Sequence, residues 1–134
     1  MKRTDDHDEL RRTLLAALPL LALTGSASAQ DAARVQPRAY RVVLENDRLR
    51  VLEFNSRPGM GICGNGMHSH PPHLSVALSP ATAKVRLPDG KTVTAENRLG
   101  DVWWAEAETH EVENISGRDV RALIIELKPS SGKA

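Results

Sequence analysis

The sequence predicts an all-β domain, folded as a closed antiparallel barrel or jelly roll, and three observations carry that expectation. Runs rich in β-branched and apolar residues recur from Tyr40 to Leu127. Turn residues divide these runs at short intervals, and after the leader no window of a dozen residues shows the 3.6-residue period of an amphipathic helix. Many short strands at such spacing close most economically into a single barrel.

The leader comes first. Arg11-Arg12 form a charged edge, Thr13 to Leu23 is an apolar run broken by Pro19, and Ala27-Ser28-Ala29 supplies the small residues a signal peptidase reads. Residues 1–29 are therefore expected to be a cleaved export signal, with the mature chain beginning at Gln30. The apolar run is too short to cross a hydrocarbon core of about 30 Å as a helix. The paired arginines resemble a twin-arginine signal, although Leu10 stands where Ser or Thr is usual and no Phe follows. That route carries folded proteins, so a metal could be loaded before export. A periplasmic or secreted location follows, with no stable membrane insertion of the mature chain.

Removing four Lys/Arg and four Asp/Glu with the leader leaves 14 basic and 13 acidic residues, a net charge of +1. This balance, with no basic block and no aromatic–basic interleaving, points away from nucleic acid and anionic membranes. The remaining residues make one domain with a modest core. Cys63 is the single cysteine, so no intrachain disulfide can form. Packing, a metal or a partner subunit must supply stability instead, and the expected partners are a small-molecule ligand or substrate.

Residues 30–39 are small and polar and read as a flexible, frayed lead-in to the barrel domain, residues 40–128; residues 129–134 form a tail. Tyr40 to Leu44 is the first strand, before a turn at Glu45-Asn46-Asp47, and Leu49 to Phe54 is the second. Residues 59–66 hold four glycines and should form an irregular loop. Leu74 to Leu78 is a short apolar strand. Ala83 to Leu87 and Lys91 to Ala95 flank Pro88-Asp89-Gly90, a hairpin turn signal. Gly100-Asp101 opens Val102-Trp103-Trp104, His110 to Asn114 follows, and Val120 to Leu127 is the longest run.

Every histidine beyond the leader lies in two short motifs, His68, His70 and His73 in MHSHPPH and His110 in THEVEN. His68 and His70 are two apart, so on a strand both rings point to one side. His73 would fall on the opposite face, but Pro71-Pro72 cannot both join a regular ladder, and a kink there can turn it inward. His110 must arrive from another strand, for which a facing strand of the same barrel is the economical choice. Imidazoles gathered in this way suit one divalent transition metal, Fe, Mn, Ni, Cu or Zn. With three or four neutral imidazoles, such a site keeps the metal's full positive charge and favours anionic ligands.

At this point the chain resembles the cupin superfamily. Pro58-Gly59, His68-Ser69-His70 and the strand Leu74 to Leu78 match the first cupin motif. Gly100-Asp101, His110 and Asn114 match the second, and the PDGK hairpin lies between them. The resemblance covers roughly residues 40 to 128 and implies a single-domain double-stranded β-helix, often dimeric, holding one divalent metal. Carried over, His68, His70 and His110 are ligands. The family's glutamate is missing: counting back from Leu78 puts His73 at its position, and counting forward from His70 puts Ser75 there. Serine is a poor neutral ligand, so the expected set is His68, His70, His73 and His110. The second motif is one residue short before His110 and lacks the usual Pro and Gly.

Around this set, Asn114 reads either as a partner to a ligand or as a turn cap. Glu106, Glu108, Glu111 and Glu113 could offer a base, but read mainly as solvated charges. Trp103 and Trp104 should face opposite ways, one toward the core. Cys63 reads as an inert thiol, and Met60 and Met67 as packing residues. Three readings fit: an exported metal-dependent oxygenase or isomerase acting on a small organic molecule, a module that binds metal or small ligand without turnover, or a stably folded dimer whose metal is incidental. A homodimer is expected, and no catalytic residue is assigned.

Overall fold

The computed structural model describes residues 30–58 and 66–130. The predicted export signal, residues 59–65 with Met60 and Cys63, and residues 131–134 lie outside the described residues.

The described chain is built from β1 (Tyr40–Glu45), β2 (Leu49–Ser56), β3 (His68–His70), β4 (His73–Ala77), β5 (Ala81–Arg86), β6 (Thr92–Asn97), β7 (Val102–Ala105), β8 (Glu108–Asn114) and β9 (Val120–Leu127). They form a five-stranded sheet in the order β1-β2-β9-β4-β7 and a four-stranded sheet in the order β3-β8-β5-β6, all pairs antiparallel. The all-β jelly-roll expectation holds. Among the described residues, no helix is long and apolar enough to cross a membrane.

Local chemistry sets the corners. The Asn46 side chain accepts from the backbone of Arg48 (2.8 Å) and Leu49 (3.0 Å), closing the β1–β2 turn. Between β5 and β6, Gly90 takes φ +86°, a left-handed conformation that disfavours any side chain. Pro71-Pro72 has the most consequence for the site. Two residues without N–H groups end β3 in one sheet, and the chain resumes as β4 in the other.

Alternation then decides what lies inside. On β9, Val120, Ala122, Ile124 and Glu126 are buried, and on β4 His73, Ser75 and Ala77 are buried. Leu52 and Phe54 of β2 sit opposite Ile124 and Ala122, and with Tyr40, Ala39 and Val120 they form the apolar core.

The N-terminal segment departs from the sequence reading. Instead of fraying, it forms a single helical turn, α1 (Ala32–Val35), capped by Asp31, and Ala32 is fully buried against the core. The pattern was silent because one turn has no period to detect. Its stability comes from the cap and from tertiary burial.

Candidate metal centre

His68, His70 and His110 each offer a donor atom, and these atoms lie within 4.8 Å of one another. The geometry begins with register. β3 pairs with β8 so that His68 stands directly opposite His110 and His70 opposite Glu108. All four residues share one face of the sheet, because positions two apart on a strand point the same way. His110 thus comes from the hydrogen-bonded neighbour of β3, not from a facing strand as expected. Cross-strand Cβ atoms in an antiparallel pair are about 5 Å apart, close enough to bring the rings side by side. The ring centroids of His68 and His110 are 4.9 Å apart, and those of His68 and His70 are 5.0 Å apart.

The facing sheet contributes His73 instead. The proline corner turns it inward, with its ring 5.0 Å from that of His70 and its Nε2 3.5 Å from Glu108 Oε1. Ser75 lies two residues further on the same buried face. The four expected ligands therefore face one interior, but the mutually close set is the three from β3 and β8, with His73 set against Glu108.

The tautomers follow from hydrogen-bond partners. His68 Nδ1 donates to the Gly66 carbonyl (2.6 Å), His70 Nδ1 to Glu126 Oε1 (2.9 Å) and His73 Nδ1 to the Pro71 carbonyl (2.7 Å). His110 Nδ1 lies 3.3 Å from Glu108 Oε1. With Nδ1 carrying the proton, each ring presents an Nε2 lone pair. Burial, reinforced by His110, lowers the His68 pKa to about 4. Burial, then His68 and His73, lowers His70 to about 3, and burial outweighs Glu108 to bring His110 to about 4. For His73, burial is overcome by the Glu108 carboxylate and the Pro71 carbonyl, and the pKa is raised. Neutral, pre-oriented imidazoles at physiological pH are what a divalent transition metal requires, so the donor set fits one.

Sequence reasoning missed four contributors. Glu126 is almost fully buried and accepts the hydrogen bond from His70 Nδ1. Arg50, opposite it on β2, donates to it from Nε (2.8 Å) and Nη2 (2.6 Å), and Asp31 pairs with Arg50. The signal for Glu126 was a carboxylate at the inward parity of an otherwise apolar strand. Tyr40 is the fourth: it packs on His68 and His70 at 4.9 and 5.2 Å, and its hydroxyl lies 3.0 Å from His68 Nε2. Glu108, grouped by sequence with solvated charges, is at the site with only a quarter of its side chain exposed. Burial raises its pKa, but interactions with His110 and His73 outweigh that and bring it to about 2.

The other carboxylates keep their bland roles. Glu106 accepts from Trp104 Nε1 (2.9 Å), Glu111 pairs with Arg86, and Glu113 is exposed. Asn114 caps the β8–β9 connection, donating to Arg118 O (2.7 Å) and Ser56 O (3.1 Å). Trp103, opposite Ser75, faces the interior and is half-buried, while Trp104 is 40% exposed, as their opposed directions require.

No family model matches the sequence, and no curated protein matches it. Solved structures do. A cupin domain from Bordetella pertussis Tohama I is 27% identical, with a TM-score of 0.59, covering 67% of this chain and 92% of that one. A cupin protein from Bacteroides fragilis is similar at 17% identity and a TM-score of 0.50, covering 72% of this chain and 81% of its own. With two histidine motifs in order, a two-sheet barrel and the 27%-identical cupin neighbour, the chain belongs to the cupin superfamily.

Proposed function

We propose that this protein is an exported cupin that binds one divalent transition metal through His68, His70 and His110 and uses it on a small organic molecule, as an oxygenase or an isomerase. The observation that carries this reading is the convergence of the three donor atoms within 4.8 Å, supported by Nδ1 partners for all three rings. A bound metal supplies Lewis acidity and a template for ligand oxygens.

The chain's own groups do the rest. His68, His70 and His110 bind through neutral nitrogens, while Glu126 and Gly66 hold two of the rings in place. Glu108 and His73 flank the centre with a carboxylate and an imidazole, whose Oε1 and Nε2 stand 3.5 Å apart. Trp103 and Ser75 line the interior opposite one another and would bound a small ligand.

Location outside the cytoplasm is supported by the leader pattern at residues 1–29. Edman sequencing of the mature protein should begin at Gln30. Self-association is supported by β1, a sheet edge that leaves Val42, Val43 and Leu44 40–50% exposed. Light scattering of the protein and of Val43→Lys tests it, a dimer lost in the variant being the expected result.

Turnover is tested by oxygen uptake and product analysis over a panel of small organic acids, thiols and diketones, comparing metal-loaded protein with His110→Ala. Metal-dependent turnover of one compound supports the enzyme. Stoichiometric metal with no turnover of any compound favours a non-catalytic binding module.

A further inference from the structure

Asp31 uses its carboxylate twice. Oδ1 accepts from the backbone of Ala33 (3.0 Å) and Arg34 (3.2 Å), capping α1, and Oδ2 accepts a short hydrogen bond from Arg50 Nη2. Arg50 donates to Glu126 Oε2, and Glu126 Oε1 accepts from His70 Nδ1. A continuous chain of charge-assisted bonds thus runs from Asp31 to His70, with no side chain in it more than 18% exposed. The backbone repeats the connection. Ser69, between His68 and His70, donates its N–H to Gln30 O (2.7 Å), and Asp31 bridges Ser69 in parallel.

We propose that the segment Gln30–Val35 is a clamp of the metal centre, in which Asp31 is a positioning residue acting through Arg50 and Glu126 to fix the tautomer and aim of His70. The inference rests on the reading of His70 as a metal ligand. Without Asp31, Arg50 is held only from the Glu126 side, and the constraint that keeps Glu126 Oε1 on His70 Nδ1 is weakened. The charges act in the same direction. With Asp31 present, the Asp–Arg–Glu set carries a net negative charge beside His70, which makes its Nε2 a stronger donor; without Asp31, Arg50 cancels Glu126. Cleavage before Gln30, as the leader pattern predicts, leaves the whole clamp on the mature chain.

The test is a cobalt(II) titration, followed by visible absorption, of the full chain and of Asp31→Asn, Arg50→Lys, Glu126→Gln and His70→Ala, with thermal melting of each metal-free protein. Asparagine keeps the capping oxygen of Asp31 but not the charge facing Arg50, so Asp31→Asn should fold. Asp31→Asn and Arg50→Lys should weaken cobalt binding about tenfold, and Glu126→Gln by about 10–100-fold, each with altered absorption bands. Wild-type affinity and an unchanged spectrum in Asp31→Asn would overturn the clamp, as would a loss of affinity matched by an equal loss of metal-free stability. Should Arg50→Lys fail to fold, Asp31→Asn decides alone. Equal cobalt binding by wild type and His70→Ala would instead overturn the ligand assignment on which the clamp rests.

Discussion

Tyr40 donates its hydroxyl hydrogen to His68 Nε2 across 3.0 Å, using the lone pair that His68 would offer a metal. The direction is fixed because His68 Nδ1 is already a donor, to Gly66 O. Burial, with help from Glu108 and Glu126, raises the tyrosine pKa far above its usual value, so the group stays a neutral hydroxyl. A metal held by His68 Nε2 would have to displace this hydrogen bond.

Tyr40→Phe keeps the packing against Phe54, 5.0 Å away, and removes only that bond. A neutral buried hydrogen bond contributes about 1 kcal/mol net. The variant should lose about that much metal-free stability in denaturant unfolding and bind metal roughly fivefold more tightly in a competition titration. Weaker binding would show that the hydroxyl serves the bound state.

Glu108 and His73 stand beside the triad, 3.5 Å from one another. Glu108 is directly opposite His70 and 3.3 Å from His110 Nδ1, whereas His73 stands outside the mutually close triad. Glu108→Gln is expected to weaken metal binding by roughly 10–100-fold through His110, and His73→Ala by no more than that range. A His73→Ala loss as deep as that of His110→Ala in the same titration would return His73 to the ligand set.

Acid should find a particular weak point on the outer face of β2. Glu53 lies between Arg41 (2.5 Å) and Arg121 (2.7 Å), and these bonds bring its pKa from 4.5 to about 2. A carboxyl whose folded pKa is lowered adds stability that is fully present above its unfolded pKa and is lost as pH falls through the folded value. The contribution is thus present at pH 7 and fades between about 4.5 and 2. Glu53→Gln should be less stable than wild type at neutral pH, and the two denaturation midpoints should converge as pH approaches the bottom of that window.

Leu52 is fully buried and faces Ile124 in the core that also holds Tyr40. Leu52→Ala should cost about 2–5 kcal/mol in denaturant unfolding. Because Tyr40 bridges that core to His68 and His70, the same variant should broaden the histidine ring resonances in NMR spectra.

What was legible in the sequence was whatever local periodicity encodes. The two-residue spacing of His68 and His70 put both rings on one face, Pro71-Pro72 announced the break that turns His73 inward, and Pro88-Asp89-Gly90 marked its hairpin. What was not legible depends on pairing between distant strands. Arg50 and Glu126 meet because β2 and β9 are neighbours, and neither residue type alone predicts the other. The choice of an adjacent over a facing strand for His110 is likewise a matter of sheet order. Glu108 was passed over because a charge near a strand end is usually solvated, and only the β3–β8 register brings it against His70.

Metal analysis of the protein purified without a histidine tag tests most directly whether His68, His70 and His110 form one metal site. One equivalent of a divalent transition metal in wild type, absent from folded His68→Ala, His70→Ala and His110→Ala, is the expected result. Undiminished metal in any of those three variants would contradict it.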